Sequence, residues 1–138
     1  MLTVNLHAYG NGDTSYRAAG GEAGLRALVA EFYRRMGSDA RFAEIHGMHP
    51  NADVSEERLW MFLSGWLGGP RIYQATHGSI NIPAVHGHLP IGQSAHDQWL
   101  MCMSEAIDLQ DFDPAFKDYL KRQLAVPAGV ILARCTPG

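Results

Sequence analysis

Histidine is the residue with which this chain has most scope for chemistry. There are seven in 138 residues, against two cysteines. His46 and His49 are three apart, which lets both rings share one face of a helical turn. His86 and His88 are two apart, a spacing that suits a strand more than a helix. A zinc site wants three or four converging ligands, and no cysteine stands near either pair. A hydrolase pairs a nucleophile with a base. Here there is no GxSxG, and Cys102 lies in an apolar helical stretch where a thiol is inert. His7 in the N-terminal arm and His96 in the first turn of a helix read as surface residues, and His77 as part of a long connection.

The segment 79–92, SINIPAVHGHLPIG, is different. It sets His86 and His88 among small and branched apolar residues between Pro83 and Pro90, and carries no charge unless a histidine is protonated. A neutral imidazole in an apolar, constrained loop is what one face of a haem iron takes. The macrocycle also wants apolar walls and a few hydrogen-bond donors. The plain alternative is a histidine satisfied within a small helical core, and composition and spacing alone leave both open.

The elements that must position these rings are helices. Leu25, Leu28, Val29, Phe32, Tyr33 and Met36 form a wide apolar stripe, preceded by Gly20-Gly21 and ended by Gly37. Ser38 is placed to cap a short helical piece, and His49-Pro50-Asn51 reads as a turn. A second long helix runs from about Asp53 to Leu67, with Leu59, Phe62, Leu63 and Trp66 in register, and Gly68-Gly69-Pro70 stops it. From Arg71 to about Gly92 the periodicity is lost, a long connection for a domain this small. A third helix follows Gly92, where Ser94 and Asp97 have capping-box spacing; Trp99, Cys102, Met103 and Ala106 share its stripe. Asp113-Pro114 starts the last helix, with Phe116, Tyr119, Leu120, Leu124 and Ile131 along it; Pro127 predicts a kink or a break. No strand is expected: the fold class is all-α.

Composition narrows the partners. At 46% hydrophobic and 18% charged, the chain has the balance of one globular domain. A net charge of −3 and no basic run longer than Arg34-Arg35, which reads as a solvated face, argue against nucleic acid. Two cysteines without CxxC spacing suggest free thiols in a reducing compartment. The N-terminus lacks signal-peptide features and no window could span a membrane, so the expectation is a cytoplasmic protein.

Taken in order, 19-AGGEAGLRALVAEFYRRM-36, 57-ERLWMFLSGWLGGPRIY-73, 86-HGHLPIG-92 and 97-DQWLMCM-103 resemble the group II, or O-type, truncated haemoglobins of the globin superfamily. The resemblance covers residues 16–134, leaving 1–15 as an N-terminal arm. It implies a shortened globin fold, a two-over-two helical sandwich around haem b. The family's proximal histidine stands four residues before the proline of its P-I-G motif, which here makes His86 the iron ligand. On a helical backbone two residues turn through about 200°, so His88 would face away. The resemblance carries the distal roles onto Tyr33, His49 and Trp99, with Ser55 and Leu59 over the iron. Phe62, Leu63 and Ile91 become apolar walls and Tyr73 a propionate partner.

Two positions depart from the family pattern. Its basic residues before the proximal histidine are replaced by 83-PAV-85, and Val85 cannot pair with a propionate. Gly78-Ser79-Ile80 stand where its G-H-P is usual; Arg71 and His77 lie in the same connection. The implied function is binding of O2, NO and other diatomic ligands, in oxygen binding or transport or in NO-detoxifying or peroxidase-type redox chemistry with an unidentified reductase. Monomer and homodimer both fit. The competing reading is a globin-like helical interaction module that has lost haem.

Overall fold

The structure, a computed structural model, describes residues 9–49, 51–78 and 91–135. Seven α-helices occupy them: α1 (Thr14–Ala18), α2 (Gly21–Ser38), α3 (Ala43–Gly47), α4 (Ala52–Trp66), α5 (Ile72–His77), α6 (Gln93–Asp108) and α7 (Pro114–Cys135), with a 3₁₀ turn at Ala40–Phe42. There is no strand among the described residues. α2 packs on α4 and α6 on α7, while α2 also crosses to α6 and joins the two pairs.

The α2 stripe makes the join. Leu25, Leu28, Val29, Phe32 and Met36 are buried, as their spacing predicts. Opposite them lie Cys102, Met103, Ala106 and Ile107 of α6 and Phe116, Leu120 and Leu124 of α7, all in the same buried cluster. Arg34 and Arg35 do not form one solvated face. Arg34 pairs locally with Glu31, whereas the Arg35 guanidinium donates to Glu105 on α6 at 2.9 Å. Arg41 reaches the same carboxylate at 2.9 Å, so one acidic side chain ties α2 and the 3₁₀ turn to α6.

Several local expectations are corrected. Ser38 does not cap the short helical piece: its hydroxyl donates back to the Arg34 carbonyl, and Asp39 takes the role by accepting from the Arg41 N–H at 2.9 Å. The third long helix starts at Gln93 with Gly92 at its N-cap, so Ser94 and Asp97 form no capping box. The connection after Arg71 contains α5, which is too short to show a stripe and buries no residue. α7 does not break at Pro127. Proline costs a helix one backbone hydrogen bond, and here Leu124 and Ile131, on either side of it, line one cavity.

The corner between α4 and α5 is built by glycine. Gly68 has φ +91°, and a Cβ there would lie 1.8 Å from the Gly12 carbonyl oxygen. The arm crosses at this point: the Tyr16 N–H donates to Leu67 O at 3.0 Å, and buried Ser64 donates its hydroxyl to Pro70 O at 2.7 Å. Further out, Tyr9 packs against Phe116 and Tyr119 of α7. No helix among the described residues is long and apolar enough to cross a membrane.

Candidate functional site

Where the two helix pairs face each other lies a cavity of about 270 Å³. Tyr33 from α2, His49 after α3, Ser55, Leu59, Phe62 and Leu63 from α4, Tyr73 from α5, Ile91, and Trp99 from α6 all line it. Every described residue that the resemblance assigned to the site is thus brought to one cavity. His86, His88, Val85, Pro83, Pro90 and His7 lie outside the described residues.

The spacing on α4 explains how one helix serves core and cavity together. Trp60, Leu63 and Ser64 are buried, while Leu59 and Phe62, with Leu63 between the two faces, turn to the cavity. An apolar stripe wider than one packing face needs provides that wall. On α2 the same step separates Phe32, fully buried, from Tyr33, its neighbour on the cavity side. Phe32 meets the Tyr33 and Trp99 rings edge-on, at 5.0 and 5.2 Å between centroids, and so spaces the phenol from the indole.

The polar groups are few and individually constrained. Burial pushes the Tyr33 phenol well above its ordinary range; a hydrogen bond from Ser55 acts against this, and the charge of Glu56 adds to it. Tyr33 is therefore a neutral O–H group. The His49 ring stands edge-on to it at 5.6 Å, with Nδ1 donating to the Ile45 carbonyl at 2.7 Å. His46, three residues back, is exposed and lines no part of the cavity, so the two rings do not share a site. Among the described residues no group of three metal-ligating side chains exists. Cys102 is buried, donates to the Phe32 carbonyl, and has its thiol pushed up to about 12 by burial, then by the Glu105 charge. It is a core residue without nucleophilic character.

Three parts of the lining are additional. Arg58 on α4 reaches the cavity and forms no ion pair with another described residue. Its sequence signal is position: it follows Ser55 by three and precedes Leu59, so it lies beside the face of α4 that carries them. His96, expected at the surface, also lines the cavity. On the far side stand Leu124, Pro127, Ala128 and Ile131 of α7. They continue the stripe of Phe116 and Leu120 along α7. Arg71 and His77 do not line the cavity; Tyr73 and His77 instead place their rings 5.0 Å apart.

This donor set fits an iron porphyrin. The walls are aliphatic and aromatic, the neutral side-chain donors include the Tyr33 phenol, the Trp99 indole and the Ser55 hydroxyl, and cationic or ionisable groups come from separate helices. A small polar substrate would leave most of these walls without a role.

The comparisons with known proteins agree. The model of the bacterial-like globin family matches residues 14–126. The group 2 truncated hemoglobin YjbI of Bacillus subtilis (strain 168) is 31% identical over 113 residues, covering 82% of this chain and 83% of its own. The cold-adapted truncated hemoglobin of the Antarctic marine bacterium Pseudoalteromonas haloplanktis TAC125 is 34% identical with a TM-score of 0.82, over 86% of this chain and 96% of that one. The group II 2-on-2 hemoglobin of the plant pathogen Agrobacterium tumefaciens is 30% identical with a TM-score of 0.81, over 85% and 92%. The architecture is the two-over-two truncated globin fold, and the chain belongs to the bacterial-like globins and, within them, to the group II truncated haemoglobins.

Proposed function

We propose that this protein carries haem b in the cavity between its helix pairs, with His86 as iron ligand, and binds O2, NO and other diatomic ligands there. The observation that carries the reading is the convergence of Tyr33, Trp99, Leu59, Phe62 and Tyr73, from four helices, on one cavity. When bound, haem supplies the iron at which a diatomic ligand is held. The chain supplies the environment. Leu59, Phe62, Leu63 and Ile91 exclude water. Tyr33 and Trp99 would offer O–H and N–H donors to a diatomic ligand held there. Such donors are worth more in an apolar cavity than in water. His49 stands beside Tyr33 as an acceptor. Tyr73 serves a propionate.

A pocket with several donors favours long ligand residence and redox use, as in NO detoxification or peroxide chemistry, over bulk transport. Such turnover requires electrons from a reductase in the cytoplasm. The haem-free interaction module rested on the absent basic residue before His86. Arg58 lines the cavity from α4, so a basic residue stands available from another element, and this weakens that support. The test is the visible absorption spectrum of the purified ferrous protein with and without O2 and CO. A haem spectrum that shifts with both gases is expected; a protein that takes up no haem would overturn the reading.

A further inference from the structure

The first turn of α6 holds a hydrogen-bonded cluster at the cavity's edge. Gln93 Nε2 donates to Asp97 Oδ1 at 2.7 Å, and His96 Nδ1 lies 2.9 Å from the same oxygen. An ionised carboxylate only accepts, so Nδ1 carries the proton. Asp97 is held below the usual carboxylate range by His96 first and Gln93 second, and is therefore ionised at neutral pH. The His96 side chain is 15% exposed and that of Asp97 59%. The imidazole thus bridges two environments: Nδ1 is tied to a carboxylate in water, while the ring lines the cavity.

We propose that His96 holds a carboxylate of the porphyrin, providing from α6 the contact that Val85 cannot provide beside His86; the assignment rests on the haem reading above. The propionates are the porphyrin's peripheral charges. Burying a carboxylate without a partner is costly, so the propionates would lie where the cavity meets water. Of the cavity-lining side chains, Arg58 and His96 can present a cationic N–H at such a boundary. His49 is less suited, because its Nδ1–H is committed to the Ile45 carbonyl. An imidazolium donates at both nitrogens. With Nδ1 on Asp97, the Nε2–H is directed to a second carboxylate, and the imidazolium is shared between two anions.

A tethered Nδ1 also suits a metal ligand, and the experiment separates the roles. Wild type, His96→Leu, His96→Arg and Asp97→Asn are each reconstituted with protohaem and, separately, with protohaem dimethyl ester. Spectra are recorded, and transfer to excess acceptor apoglobin is timed. His96→Leu is expected to speed protohaem loss by about fivefold, the size of a partly exposed charged pair, and ester loss by less than about twofold. Asp97→Asn should speed protohaem loss by a smaller factor. His96→Arg, which keeps a cation at the boundary, should hold protohaem within about twofold of wild type. Equal acceleration with both porphyrins would make His96 a packing residue and overturn the proposal. So would no change with either, or a haem spectrum altered in His96→Leu, which would place His96 on the iron. A wild type that binds neither porphyrin overturns the haem reading itself, a result distinct from all of these.

Discussion

His49 Nδ1 lies 2.7 Å from the backbone carbonyl of Ile45, one helical turn back along the chain. A carbonyl only accepts, so Nδ1 carries the proton, and whenever the ring is neutral Nε2 is an acceptor. In this tautomer His49 cannot donate to a bound ligand, whereas Tyr33 and Trp99 can. His49→Phe should therefore change the O2 release rate of the ferrous protein at neutral pH by less than about threefold, and Trp99→Phe should raise it roughly tenfold, equivalent to about 1.4 kcal/mol. Stopped-flow release measurements on the two variants decide this. If His49→Phe releases O2 as fast as Trp99→Phe, His49 is a donor and the tautomer assignment is wrong.

Tyr33 and Cys102 set the alkaline limit of stability. Both have a folded-state pKa raised by burial. The stability they contribute is fully present below the unfolded-state values, about 8.5 for a thiol and about 10 for a phenol, and is lost as pH rises toward the folded ones. Denaturation midpoints should decline above about pH 9, and Cys102→Ala should flatten the start of that decline while lowering stability overall. In a Cys135→Ser background, a thiol reagent should modify Cys102 only as fast as the protein opens. Rapid modification of the native state would show that the thiol is accessible.

Arg58 is expected to act on haem retention through charge. Arg58→Ala should speed haem transfer to apoglobin by about two- to fivefold at low salt, and the difference from wild type should shrink near 1 M salt. A salt-independent effect would indicate lost packing of the aliphatic stem instead.

The long helices were legible because their periodicity is carried by residues that are buried: Leu25, Leu28, Val29, Phe32 and Met36 are all at or below 1% exposure. The placement of Tyr33 and Trp99 was legible where a motif fixed it, since both line one cavity. What was not legible depends on choices between near-equal local partners. Ser94 could have capped α6, but Asp97 is engaged by Gln93 and His96 and the helix starts two residues earlier, at Gln93. That engagement also hid His96, since a histidine in a first turn beside an aspartate has no pattern to distinguish a cavity edge from open water. Arg35 was read as solvated because its partner, Glu105, is 70 residues away.

The α4–α5 corner gives a test of how the fold positions Tyr73. At Gly68 any side chain is strained by the positive φ and would strike the Gly12 carbonyl. Gly68→Ala should destabilise the protein by on the order of 2 kcal/mol or more, with loss of the arm's docking and weaker haem retention through Tyr73. A urea midpoint equal to wild type would mean the arm is not held at this corner.

The central claim is that His86 is the iron ligand of a haem held in this cavity, and spectra of two single variants test it most directly. His86→Ala should lose stable haem or retain it only in a loose, spectrally heterogeneous form, because the Fe–N bond is gone and apolar burial alone remains. His88→Ala should keep a near-normal haem spectrum in the ferric, ferrous and CO-bound forms. A His88→Ala protein without haem, beside a His86→Ala protein with an ordinary spectrum, would contradict the account.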